Sequence, residues 1–356
     1  MHPLILHHPM LSLLLLLLLT PTSIWSRPTT GDLTTRSPTI PWPQFRKSVR
    51  TPTPTTDHDY DHHHCQRHDH DPNCGCGCDD HNPPPPPPPV DFQKRNFDTI
   101  SNIYNLTVYP HQVPIILGGA AGVPPGLFSQ SVVGRVDPVG DFRGFEDSIE
   151  YFFALAPLPQ GNPLNAAITS YKITEFSSAC SDVAASVVHL FCSVVNPGCP
   201  DDGTPLPPLK QVAFWKFDAK GDVLKYDAWI PNLNDWVVKT TGAPVFIPEG
   251  QLQSIQQICA VTQMRCHGPN QQWDSIDQCV ETLAKKSYGN YDSAWGDNVV
   301  CRSIHLVLTQ VRPDHHCPHV GPTGGGKCIE HDYGNDYFND TSLYGDALGE
   351  TFMCKK

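Results

Sequence analysis

Residues 214–232 read FWKFDAKGDVLKYDAWIPN. The runs KQVAFWKFD (210–218) and VLKYDAWI (223–230) are strand-like, and Ala219-Lys220-Gly221-Asp222 between them has turn chemistry, so the stretch predicts a hairpin. Trp215 and Phe217 share one face of the first strand and read as core rather than as ligand contacts. Tyr226 and Asp227 fall on opposite faces of the second, so at most one of them looks inward. Upstream, residues 167–176 alternate and residues 183–195 are rich in valine, which predicts two more strands. Residues 145–155 (FEDSIEYFFAL) have helical apolar spacing and stop ahead of Pro157. A helix followed by a run of antiparallel strands makes residues 91–247 an α+β domain, with a curved antiparallel sheet packed on helices.

The order of helix, long strands and hairpin resembles the nuclear-transport-factor-like, or SnoaL-like, cone fold. Phe217-Asp218-Ala219-Lys220-Gly221-Asp222-Val223 is similar to the Phe-Asp-x-x-Gly-Lys-Ile phrase that often closes a strand in such domains. The resemblance covers residues 91–236, under half of the chain. The chain as a whole also resembles secreted fungal proteins that carry this cone and a cysteine-rich tail. The resemblance implies a conical pocket between sheet and helices, used in the family for isomerases, dehydratases and hydrolases, or for binding and dimerisation. It further implies an Asp, His or Tyr inside the cone, for which Tyr171, His189, Tyr226 and Asp227 are the candidates. His189 lies between Val188 and Leu190, a setting that suits a core histidine as well as a base. Fold alone does not assign chemistry.

Leu11 to Leu19 form a leucine run broken only by Ser12. It is short for a membrane span of about 20 residues and suits the apolar region of a secretory signal, roughly 7–15 residues. Residues 1–26 are therefore expected to be a signal peptide cleaved near Ser26, leaving a secreted, extracellular or cell-wall protein with no membrane segment. Residues 27–90 are poor in aliphatics and predict a disordered Ser/Thr/Pro stalk that ends in the polyproline spacer Pro83 to Pro89. Asn105 and Asn339 head glycosylation triplets. The net charge of −12 offers no footprint for nucleic acid.

Within the stalk, residues 57–81 carry seven His, seven Asp and four Cys. Imidazole and thiolate suit zinc, copper and nickel, and His62, His63, His64, Cys74, Cys76 and Cys78 are the candidate ligands. Compositional drift without a physiological ion is the competing explanation. Nothing around the tract fixes ligand geometry, so a defined catalytic site is not expected there.

Residues 248–356 predict a small module with helices near 249–265, 275–285 and 297–311. So small a core calls for covalent help. In an oxidising compartment the cysteines are expected to pair. Cys180, Cys192 and Cys199 lie in the first domain, and Cys259, Cys266, Cys279, Cys301, Cys317, Cys328 and Cys354 in the second. Three and seven are both odd, so full pairing requires at least one bridge between the two regions; the alternative leaves Cys192 free and buried in its valine-rich strand and Cys354 loose. His315, His316 and His319 cluster around Cys317, and His305 lies upstream, one helical turn from Cys301, so these four histidines are candidate metal ligands. Disulfide pairing favours a structural loop here, while coordination by imidazoles alone, through His315, His319 and either His305 or His331, stays open. Gly324-Gly325-Gly326-Lys327 lacks the spacing and the Ser/Thr of a phosphate loop.

Three functions remain in play: an extracellular module binding a small apolar ligand or partner in the cone, a cone-pocket enzyme using Tyr226 or Asp227, and metal capture by the His/Cys tract with the histidine loop as a second site.

Overall fold

The computed structural model describes residues 91–243 and 247–355. The expected signal peptide, the stalk and the His/Cys tract lie outside the described residues.

Helix α1 (Phe92–Thr107) is started by Asp91, whose carboxylate accepts from the Lys94 amide, and it buries Ile100, Ile103 and Tyr104. Strands β1 (Phe128–Asp137), β2 (Gly140–Arg143), β3 (Ala166–Cys180), β4 (Val183–Val194), β5 (Pro205–Phe217) and β6 (Val223–Trp229) form one sheet in the order β2-β1-β6-β5-β4-β3. The hairpin forms as expected between β5 and β6. Asp218 closes its turn by accepting from the Lys220 and Asp222 amides, and Gly221 takes a φ of +88° there. Every neighbouring pair is antiparallel except β1 with β6, which run parallel. The strands expected from sequence pair antiparallel, and β1, whose opening Phe128-Ser129-Gln130-Ser131 lacks apolar alternation, adds the parallel pairing to β6. Register shifts along β3 and β4 mark bulges, which bend strands and curl the sheet about α1.

The concave face carries an aromatic core. Trp215 is fully buried, sits edge-on to Tyr104 and gives its indole N–H to Ser186 at 2.9 Å. The predicted helix at 145–155 is α helical as α3 (Phe145–Ile149) and continues as a π turn over Glu150–Ala154. That turn separates neighbours: Tyr151, Phe152 and Phe153 enter the core, while Asp147 and Glu150 meet the C-terminal region.

Further along come α5 (Pro248–Arg265), α6 (Ile276–Leu283), α7 (Val299–Leu308) and α8 (Pro313–Val320), after the short α2 (Val113–Gly118) and α4 (Leu233–Trp236). Bridges Cys259–Cys279, Cys266–Cys317 and Cys301–Cys328 tie these helices together around Ile258, Val299 and Leu306. A fourth, Cys180–Cys354, fastens the end of β3 to the C-terminal segment, and the cone and extension belong to one compact unit. Cys192 and Cys199, expected among the paired cysteines, are free. Cys192 points into the core from β4, where burial pushes its thiol up to about 12, whereas Cys199 stands exposed in the following loop. One faces inward and the other outward, so the bridge between regions exists without full pairing.

Candidate functional site

The helical extension roofs the open end of the cone. Between them lies a cavity of about 310 Å³, within the range of small-molecule sites. Its floor comes from the cone: Tyr104 of α1, Tyr151 of the π turn and Gln211 of β5. Its roof comes from Gln257, Ile258 and Arg265 of α5, and from Ile304 and Val307 of α7. The walls are mostly apolar and aromatic, with few polar groups.

Those polar groups are connected. The Tyr104 hydroxyl donates to Gln211 Oε1 at 2.7 Å, and Gln211 Nε2 donates to the Tyr151 hydroxyl at 2.8 Å. Tyr151 thus accepts, and its own hydrogen has no acceptor among the described residues. Burial holds the Tyr151 phenol far above its ordinary range, so it stays protonated. In the roof, Gln257 Nε2 is buried without a partner. Among the described residues Arg265 donates to the Leu306 carbonyl at 3.1 Å and the Thr309 hydroxyl at 3.4 Å, and burial lowers its pKa.

None of the four candidates taken from the family resemblance lines this cavity. Tyr226 does point inward, but its ring lies across β1 at Gly134, where a β-carbon would sit 2.2 Å from it, and its hydroxyl donates to Ser148 at 3.2 Å. Asp227 is on the opposite face, bound by Arg135 at 2.6 Å, with Asp340 on the same guanidinium at 3.2 Å. Tyr171 is tied to Ser101 at 2.7 Å beside α1. His189 points outward, near Thr174 and Phe191, because the inward positions of β4 are Val188 and Leu190. The residues that do line the floor left one sequence signal: Gln211 is a lone polar residue on the inward register of Ala213, Trp215 and Phe217.

A second cluster adjoins the first. His305 of α7 and His316 and His319 of α8 bring their Nδ1 atoms together, 3.3 Å between His305 and His316 and 3.2 Å between His305 and His319. His316 and His319 are buried and sit three residues apart on one helical face, whereas the intervening Cys317 turns to Cys266. Two histidines considered from sequence stand apart from this cluster. His315 lies to the side, 3.2 Å from Asp147, and His331 packs on Trp295 with ring centres 4.3 Å apart. Cys301 and Cys328, close to His305, are bonded to each other.

Glu150 holds the cluster in place from the cone. It is 3 % exposed and takes His316 Nε2 at 2.7 Å and Arg312 Nε at 2.6 Å, while Arg312 also reaches Asp147 at 2.5 Å. Burial would raise the Glu150 carboxyl, but hydrogen bonds from His316 and Arg312 outweigh it and hold the group below its ordinary value. Burial lowers all three histidines; neighbouring imidazoles add to it at His305 and at His319, which falls to about 3, whereas Glu150 opposes it at His316. A void of about 20 Å³ beside the imidazoles shares Val139, Leu155 and Ile304 with the large cavity.

Two family models match in tandem, the BfoA N-terminal domain over residues 103–228 and the BfoA family C-terminal domain over residues 239–331. Tyr104, Tyr151 and Gln211 fall in the first match, and Gln257, Arg265 and the three histidines in the second. The chain is 32 % identical over 214 residues to Aurasperone B biosynthesis cluster protein A of Aspergillus niger, covering 57 % of this chain and 68 % of that one. It is 30 % identical over 214 residues to Bifonsecin B biosynthesis cluster protein A of Aspergillus brasiliensis, covering 57 % and 70 %. Among solved structures, a polyketide cyclase from Xanthomonas campestris pv. campestris matches 42 % of this chain and 98 % of its own at 10 % identity, with a TM-score of 0.29. A SnoaL-like polyketide cyclase from Jannaschia matches 44 % and 98 % at 12 % identity, also with a TM-score of 0.29. On the two matched domains and the identity to these cluster proteins, the chain belongs to the BfoA family.

Proposed function

We propose that the chain binds a largely apolar, ring-containing small molecule carrying hydrogen-bond-accepting oxygens, in the cavity between cone and extension, on a fungal biosynthetic route. The observation that carries this is an aromatic-walled cavity with two unused donors among its lining residues: the Tyr151 hydroxyl in the floor and the buried Gln257 amide in the roof. A protonated phenol suits polarising a ligand carbonyl. The relatives' names supply the biosynthetic setting. Four disulfides support a secretory route, since such bonds persist in oxidising compartments. Among the described residues no helix is long and apolar enough to cross a membrane. On that route the exposed Asn339 is the better glycan acceptor, because Thr107 of the Asn105 triplet is buried against the Tyr104 carbonyl.

Trp236 lines the cavity and reports on it. Titration of the full chain with aurasperone B is expected to quench tryptophan fluorescence saturably. Gln257→Leu is expected to weaken binding about tenfold through loss of a buried donor, and Ile304→Phe to abolish it by filling the space. If neither aurasperone B nor an apolar naphthalene dye gives a saturable signal that Ile304→Phe removes, the cavity is not a ligand site.

A further inference from the structure

We infer that His305, His316 and His319 form a binding site for one divalent transition-metal ion, zinc in the first instance, set in the wall between cone and extension. The three ligand nitrogens lie within 4.8 Å of one another. Zinc binds imidazole nitrogen at roughly 2.0–2.1 Å, so two nitrogens on a tetrahedral centre stand about 3.3 Å apart. The contacts of His305 with His316 and His319 are 3.3 and 3.2 Å.

Hydrogen bonding within the cluster accounts for this arrangement less well. Glu150 is an acceptor, so His316 carries its proton on Nε2, and in the neutral ring its Nδ1 is a bare lone pair. His305 Nδ1 holds at most one hydrogen yet faces two nitrogens. One cation at their centre satisfies all three lone pairs together. Two further features are those of a metal centre. Glu150 behind His316 fixes tautomer and ring orientation, as carboxylates behind metal-bound histidines do. The adjoining void of about 20 Å³ has room for a water molecule. Three imidazoles leave the fourth tetrahedral position open, the pattern of sites that exchange a water or a substrate atom. Because Val139, Leu155 and Ile304 wall both spaces, the void adjoins the ligand cavity. The nearest basic groups do not oppose a cation at full strength, since Arg312 is paired with Asp147 and Glu150, and Lys327 with Asp141.

The site stands on the imidazole geometry alone and does not require the cavity to bind anything. The test is metal content and cobalt spectroscopy on the secreted, full-length chain. Because residues 57–81 carry candidate ligands of their own in every sample, the readout is the difference between wild type and variant. Wild type is expected to hold one zinc more per chain than His305→Ala or His319→Gln. After chelation and cobalt loading, it should show visible d–d bands of a tetrahedral nitrogen site that both variants lack. Glu150→Gln should keep the bands and weaken zinc affinity about 10–100-fold. Where a variant fails to fold, as judged by its disulfide map, wild type decides alone: zinc that raises its unfolding temperature with one-to-one saturation supports the site. Equal metal content and equal cobalt spectra in wild type and folded variants overturn it, as does wild type that takes up no cobalt outside residues 57–81. Fluorescence titration of the cavity reads independently of all these measurements.

Discussion

Single residues in this chain are legible in proportion to how local their reasons are. Gly325 is one case: its φ is +54°, and a β-carbon there would come within 2.6 Å of the Pro318 backbone. Gly325→Ala should therefore lower stability by about 1–3 kcal/mol, read as a reduced urea midpoint with unchanged slope. Arg302 is the opposite case, an arginine on an amphipathic helix that turns out fully buried. Its guanidinium donates to the Asn298, Gly321 and Pro322 carbonyls and pairs with Asp297 at 2.8 Å. Arg302→Met strands those acceptors and should cost about 3 kcal/mol. Tyr226 shows why residue type misleads. A tyrosine in the cone suggests an acid, yet its ring is packed among Phe152, Trp215 and Tyr151. Tyr226→Phe is expected to leave the aurasperone B titration unchanged, and a tenfold loss would return Tyr226 to the site.

Secondary-structure elements were readable where the hydrophobic pattern is local and continuous. β5, β6 and the turn at Asp218 follow from alternation and turn chemistry, and α5, α6 and α7 from apolar spacing. β1 was not, because its opening residues lack apolar alternation, and its parallel pairing with β6 joins segments far apart along the chain. The same limit hid the cavity floor: Gln211 is visible as an inward polar residue, but its bonds to Tyr104 and Tyr151 come from distant elements. Among the histidines, helical spacing separates His316 and His319 from His315, although which face meets α7 is decided by packing. One contact between elements carries a pH signature. Asp141 on β2 accepts from Lys327 at 3.1 Å, and Lys327 also donates to the Asp141 carbonyl at 2.7 Å. Burial would raise the Asp141 carboxyl, but Lys327 and Arg143 outweigh it and hold it below its ordinary value. A carboxyl depressed in the folded state stabilises above the unfolded carboxylate range and loses that contribution as pH falls through the folded value. Asp141→Asn should thus cost roughly 1 kcal/mol at neutral pH. In urea melts the gap to wild type should close as the pH drops below the ordinary carboxylate range.

At the scale of the whole molecule, the odd cysteine counts pointed to a link between regions, and Cys180–Cys354 provides one. Around it the C-terminal segment is held against the sheet by Arg135 with Asp340, Lys225 with Asp346 at 2.7 Å, and the Tyr344 hydroxyl on the Tyr226 carbonyl at 2.9 Å. Cys354→Ser should lower stability by about 2–4 kcal/mol and speed proteolysis of the segment after Tyr333, with the three helical bridges unchanged in a disulfide map. Loss of a helical bridge in that variant would mean the C-terminal link guides the pairing of the others.

The shared wall between cone and extension has a consequence in time. Tyr151 is synthesised more than a hundred residues before Ile304, so during synthesis the aromatic floor waits uncovered until α7 arrives. Occupancy of the cavity is therefore a property of the finished chain alone. A small molecule that binds there would act as its own quality check, adding stability by mass action only to copies whose last helices have closed over it.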